Sequence, residues 1–131
     1  MTEPQPTLFA YGTLQFDEVL RALLGRVPYH EPVDAPGWRA AALERRLYPG
    51  LVAAPGVVAT GVLLSGLSGR EWGILDAYED DQYELREIAL AQGGRCLTYV
   101  WEGGDVRDED WDAELFRARY LSEYAARCGL A

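Results

Sequence analysis

Thr7 to Gln15 reads TLFAYGTLQ. Three apolar residues, Leu8, Phe9 and Ala10, run into Tyr11-Gly12-Thr13-Leu14 with no turn cluster between them. An apolar run without alternation predicts a buried strand over 7–11. Phe16 to Gly25 then carries Val19, Leu20, Leu23 and Leu24 on one face, with Asp17 and Glu18 in the first turn and Gly25 as a stop. That pattern predicts a helix. A strand that enters a helix through Tyr-Gly-Thr exposes backbone N–H groups near a helix start. Gly12 would permit a positive φ and close approach of the backbone to a ligand. Such a loop suits a carboxylate or an oxyanion. A tight turn that needs glycine for geometry alone reads the same way.

Outward from that stretch, Pro28, Pro32 and Pro36 predict a loop, followed by a strand over 38–44. YPGLVAAPG (48–56) carries two proline–glycine signals and predicts turns, and VVATGVLL (57–64) predicts a second apolar strand. Ser68 and Glu71 form a capping pattern that opens a helix running to about Glu79. Residues 82–91 alternate as a strand, Gly93-Gly94 turns the chain, and residues 95–102 return as its hairpin partner. Asp108 is the expected cap of a final helix bearing Trp111, Leu115, Tyr120 and Tyr124. Several strands and three helices out of regular alternation predict an α+β class with a small, mixed, barrel-like sheet and flanking helices.

The 131 residues suit one domain, 1–131, with 1–6 expected to be disordered. A net charge of -9 with no basic stripe argues against nucleic acid and anionic membrane as partners. With no apolar leader or spanning run, a cytoplasmic location is expected. Cys96 and Cys128 fit no metal spacing and read as ordinary thiols. The chain has no lysine, no asparagine and one histidine. Side-chain Schiff bases, a Walker-type phosphate loop and multi-histidine metal sites are thereby excluded. His30 sits in a proline-flanked stretch with no serine near it in sequence and is a poor candidate nucleophile activator. Proton transfer in such a chain falls to a carboxylate or a tyrosine.

The carboxylate that stands out is in SGREWGILDAYEDDQY, residues 68–83. At helical spacing Trp72, Leu75, Tyr78 and Glu79 fall within about 120° of one another. The first three make a plain core stripe; Glu79 puts an acid on the same face, at the negative end of the helix. Burial and the helix dipole would both raise its pKa. The competing reading is a solvated end-of-helix glutamate beside Asp80 and Asp81, with Arg86 as its partner.

Taken together, LFAYGTLQ and LDAYEDDQYELRE resemble the γ-glutamylcyclotransferase-like superfamily in its AIG2-like branch. The resemblance runs from residue 7 to about 101. It rests on Tyr11-Gly12-Thr13-Leu14, on Leu75-Asp76 with Glu79, and on Tyr83 with Arg86. It departs at Asp80, where members usually have glycine, and that puts unaltered activity in question. The resemblance implies a small α+β fold with a pocket at the mouth of a barrel-like sheet. It implies cyclisation of a γ-glutamyl group to 5-oxoproline with release of an amine or amino acid. It also implies Glu79 as acid/base, Tyr11, Gly12, Thr13 and Leu14 as the glutamyl-binding loop, and Tyr83 on the pocket wall.

The residue reading agrees with that chemistry. The substrate brings its own nucleophile, the α-amine, and its own electrophile, the γ-amide carbonyl, so no cofactor or metal is expected. The expected partner is a small γ-glutamyl compound; oligomeric state is open. Two other readings remain: a binding module that holds a γ-glutamyl-like carboxylate without turnover, and a carboxylate-pair hydrolase using Glu79 with Asp76 or Asp81. Tyr48, Tyr99 and Trp101 are expected in the core and Arg39 at the surface.

Overall fold

The computed structural model describes residues 6–129. The expectation for residues 1–6 therefore lies outside the described residues, Pro6 excepted. Six strands form one curled sheet in the order β4-β5-β1-β3-β2-β6. They are β1 (Leu8–Ala10), β2 (Tyr29–Leu43), β3 (Gly50–Ser65), β4 (Tyr83–Ala89), β5 (Arg95–Trp101) and β6 (Val106–Asp110). Four helices flank it: α1 (Asp17–Leu24), α2 (Gly69–Tyr78), α3 (Ala113–Arg119) and α4 (Leu121–Gly129). The α+β class with a mixed, barrel-like sheet is what the structure has. Among the described residues no helix is long and apolar enough to cross a membrane.

β1 explains its own sequence. It lies between β3, antiparallel to it, and β5, parallel to it, so both its edges are paired, and a side-chain cluster covers each face. Leu8 and Ala10 pack into the cluster that holds Val19, Leu20, Leu75 and Phe116, beneath the helices. Phe9 and Tyr11 point the other way, into the hollow of the curl with Val33, Leu51 and Ile88. A strand buried on both faces cannot alternate in polarity, hence the unbroken apolar run.

The long pair β2–β3 corrects two expectations. Residues 29–36 are strand, not loop, and only 44–49 of the proline-rich middle turn the chain. The prolines are tolerated because of where their nitrogens point. Among the described residues, one side of β2 has no paired strand along 29–40, and the Asp34 carbonyl faces that side, where it accepts from the Ala91 N–H at 3.0 Å. Pro32 and Pro36 share its parity, so their missing N–H groups fall on the open edge. The same Asp34–Ala91 bond draws the end of β4 toward β2 and curls the sheet. Pro55-Gly56 makes a bulge rather than a break. The register passes from Pro36↔Val58 to Trp38↔Ala53, with Gly37 and Gly56 at φ 87° and 82°.

The C-terminal part differs as well. Asp108 lies in β6, an exposed charged strand, and the cap of α3 is Asp112, whose side chain accepts from Leu115 N. Arg39 binds across to β6, reaching Asp110 at 3.1 Å and the carbonyl of Arg107 at 3.1 Å. The single final helix is two, parted at Tyr120. Phe116 and Leu121 would stand about 140° apart on one straight helix. The bend lets both enter the same core cluster.

Candidate functional site

α2 begins at a complete capping box. Ser68 Oγ accepts from Glu71 N at 3.1 Å and Glu71 Oε1 accepts from Ser68 N at 3.0 Å. Arg26 adds two bonds to the Glu71 carboxylate, at 2.7 and 2.8 Å, which holds Glu71 far below the usual carboxylate range, at about 2. The helix therefore starts at a defined place, and its phase fixes where Glu79 falls. Glu79 is the residue just past the last turn, and its N–H still bonds to Leu75 O at 3.2 Å.

The Glu79 side chain turns into a cavity of about 470 Å³, open solvent at its mouth included. Tyr11, Gly12, Thr13, Leu14 and Tyr83 line the same cavity, so all six residues singled out in the sequence meet there. Tyr48, Pro49, Tyr78, Asp80, Tyr99 and Tyr124 complete much of the wall. Tyr48 and Tyr99 are thus at the cavity rather than only in the core, while Trp101 stands behind Tyr83 with ring centroids 5.0 Å apart. Tyr78 was legible only as core stripe, and Tyr124 only as part of the final helix; no spacing rule links either to Glu79.

Among the described residues, no protein group hydrogen-bonds or ion-pairs with the Glu79 carboxylate. Arg86 pairs instead with Glu84 and Glu102. Burial, first, and then the charges of Asp80 and Asp76 push the Glu79 pKa up to about 8. The helix dipole, invoked from the sequence, is not among these causes. An acid titrating there exists in both forms near neutrality and can take and return a proton. Asp80 behaves oppositely. Its Oδ2 accepts from Tyr48 OH at 2.6 Å and its Oδ1 from Gln82 N at 2.9 Å, and these bonds hold it in the charged form. Tyr48 is in turn pushed up to about 12, by burial and by that carboxylate.

The other phenols are committed to the protein. Tyr11 OH donates to Tyr99 O at 2.5 Å and accepts from Leu51 N at 3.2 Å. Tyr83 OH donates to Pro49 O at 2.5 Å. Thr13 Oγ1 lies 2.7 Å from Tyr78 OH, which lies 2.5 Å from Tyr124 OH. Burial raises the pKa of Tyr11, Tyr78 and Tyr83 well above the ordinary phenol value, so none ionises near neutrality.

Gly12 corrects a further expectation. Its φ is -118°, not positive. Glycine is needed because a Cβ would stand 2.9 Å from both Cδ and Cγ of Pro49. The close approach is therefore to the protein's own wall. The chain from Thr13 to Gln15 makes one 3-10 turn, with Gln15 N bonded to Gly12 O at 3.1 Å. The N–H groups of Gly12, Thr13 and Leu14 have no protein acceptor among the described residues, as expected where a turn of helix begins.

The other candidates lie elsewhere. His30 is on β2, with Nδ1 3.0 Å from Pro28 O and Nε2 3.8 Å from Asp17, away from the cavity. Asp76 and Asp81 are exposed and do not line it, which removes the geometry for a carboxylate-pair hydrolase. Among the described residues, no three His, Cys, Asp or Glu side chains converge closely enough to hold a metal ion.

A family model described as Gamma-glutamyl cyclotransferase, AIG2-like, matches residues 8–113. AIG2-like protein C of Arabidopsis thaliana is 35% identical over 117 residues, covering 84% of this chain and 68% of that protein. A solution structure of an Arabidopsis thaliana protein aligns with a TM-score of 0.73 at 24% identity, covering 97% of this chain and 90% of the other. A structure of a gamma-glutamyl cyclotransferase aligns with a TM-score of 0.62 at 14% identity, covering 94% of this chain and 85% of the other. At those identities the two structures speak for the fold alone. The matched segment contains β1, the loop after it, α2 and Glu79, and on that match the chain belongs to the γ-glutamyl cyclotransferase, AIG2-like family.

Proposed function

We propose that this protein cyclises a γ-glutamyl compound, with Glu79 as its general acid and base, releasing 5-oxoproline and an amine. The observation that carries the reading is a buried carboxyl, without a hydrogen-bond partner among the described residues, inside a cavity that Gly12, Thr13 and Leu14 also line; burial pushes its pKa up to about 8. An α-ammonium titrates at roughly 7.7–8, so proton transfer between it and Glu79 is close to thermoneutral. Glu79 takes the proton, and the freed amine attacks the γ-carbonyl carbon and closes a five-membered ring. As the tetrahedral species collapses, Glu79 returns the proton to the leaving nitrogen, and the C–N bond to it breaks. Of the three ammonium protons one stays on the lactam nitrogen and two depart with the released ammonium. No water is consumed.

The unpaired amides of Gly12, Thr13 and Leu14 are suited to a carboxylate or to the developing oxyanion, a role worth about 3 kcal/mol per well-placed donor. The walls made by Leu14, Tyr11 and Tyr83 would fold the flexible glutamyl chain toward a reactive geometry, the larger source of rate in an intramolecular reaction. The test is a panel of γ-glutamyl compounds assayed for 5-oxoproline. The expected result is turnover of at least one by the parent and none by Glu79→Gln. A fully active Glu79→Gln would refute the assignment.

A further inference from the structure

Six tyrosines line the cavity around Glu79 and no basic residue does, yet no phenol donates to its carboxyl. A hydroxyl bonded there would favour the charged form and make Glu79 a weaker base. The phenols are turned elsewhere. Tyr11 after β1, Tyr48 in the β2–β3 turn and Tyr83 on β4 donate to Tyr99 O, Asp80 Oδ2 and Pro49 O, at 2.5, 2.6 and 2.5 Å. Tyr78 at the end of α2 and Tyr124 on α4 bond to each other, and Tyr78 to Thr13. Tyr99, on β5, is different. Its hydroxyl donates to Asp76 Oδ1 at 3.3 Å, the longest of these bonds, and Asp76 is exposed and outside the cavity lining.

Asp76 stands one turn before Glu79, and residues three apart on a helix are neighbours. The helix itself gains nothing from it: an aspartate in the last turn of α2 faces the negative end of the dipole. Burial first, then the charges of Asp76 and Glu79, push the Tyr99 pKa up, so this hydroxyl feels both carboxyls and is committed to the outer one. Asp80, the other charge beside Glu79, is held by Tyr48 and Gln82 and has no proton to offer. We infer that Asp76 is a positioning residue: by accepting the Tyr99 hydroxyl at the surface of α2, it keeps that proton off the Glu79 carboxyl, which stays free for the substrate's proton. The inference rests on the cyclisation reading only for the use made of that free carboxyl.

Carbon NMR of protein labelled at the glutamate side-chain carboxyls reads the Glu79 titration, with Glu79→Gln identifying the signal. Asp76→Asn removes the charge and keeps an acceptor for Tyr99; the midpoint should fall from about 8 by about 0.5 pH unit. Asp76→Ala also frees the hydroxyl, which turns to Glu79, and should lower the midpoint by about 1 pH unit more. Asp76→Ala combined with Tyr99→Phe leaves no hydroxyl to turn and should return to the Asp76→Asn value. The acidic limb of kcat/KM should follow the same order. Equal midpoints in Asp76→Asn and Asp76→Ala would overturn the inference, and that comparison stands even if the double variant fails to fold. So would a double variant identical to Asp76→Ala, or a parent carboxyl that titrates near 4.5. The expected order of midpoints, with no 5-oxoproline from the parent and any γ-glutamyl compound, would uphold the positioning role and sink the cyclisation.

Discussion

The Thr13 Oγ1 atom lies 2.7 Å from the Tyr78 hydroxyl, one residue before Glu79. That contact ties the loop after β1 to the end of α2. Tyr124 extends it to α4 through a bond of 2.5 Å. Three elements distant in sequence therefore set the spacing between the Gly12–Leu14 amides and the Glu79 carboxyl. Tyr78→Phe removes the central hydroxyl and should cost about 1–2 kcal/mol in stability. It should also raise KM more than it lowers kcat and speed hydrogen exchange at Thr13 and Leu14. Unchanged exchange there would mean that the contact does not order the loop.

Glu79→Gln should lower the rate of 5-oxoproline formation at least 10²-fold, the usual contribution of a positioned acid and base. It should also stabilise the protein at alkaline pH. The folded carboxyl titrates at about 8 against 4.5 for the free group. The folded state thus holds the extra proton, and stability is lost as pH rises from 4.5 through 8. Removing the group recovers on the order of 5 kcal/mol above pH 8. Urea unfolding at pH 5 and pH 9 checks this: parent and variant should differ more at pH 9.

The pH profile of kcat/KM should rise with the ionisation of Glu79 in the free enzyme, centred near 8. Asp80 is the first charge contributing to that value, after burial. Asp80→Asn should therefore move the acidic limb to lower pH. A limb that stays in place would show that Asp80 does not act on Glu79.

Gly12→Ala should destabilise the protein by about 1–3 kcal/mol, because the new methyl group must displace Pro49. Pro49 holds Tyr83 through its carbonyl, so activity should fall with stability. Thermal unfolding and the 5-oxoproline assay together check both effects.

At the start of α2, Ser68→Ala should cost about 1 kcal/mol. Glu71, held at about 2 by Arg26 and then by Ser68, contributes stability that is fully present above about 4.5 and lost as pH falls through 2. Arg26→Ala should therefore unfold at a higher pH than the parent in an acid titration followed by circular dichroism.

Several features were legible because local rules decide them. Leu8–Ala10 announced a strand buried on both faces, Ser68 and Glu71 announced the start of α2, and Gly25 its counterpart at the end of α1. The helix phase from Ser68 then carried Glu79 to the inward side. What misled was chemistry whose meaning depends on a neighbour. Pro32 and Pro36 read as loop because nothing in the sequence says that their nitrogens face an unpaired edge. Val106–Asp110 carries no apolar period, and it is a strand only because β2 and Arg39 lie beside it.

Local signals in the chain were enough for β1, α1, α2, the β4–β5 hairpin and the two stretches that meet at the cavity, since hydrogen-bonded turns, caps and apolar periods act over a few residues. Only the tertiary structure decided that Tyr48, Tyr78, Tyr99 and Tyr124 join them there. It also decided that the missing side chain of Gly12 makes room for Pro49, and that Asp80 is charged while Glu79 beside it holds its proton. Those outcomes depend on burial and on partners brought together across the curl of the sheet, and desolvation has no value until the chain has closed around a group.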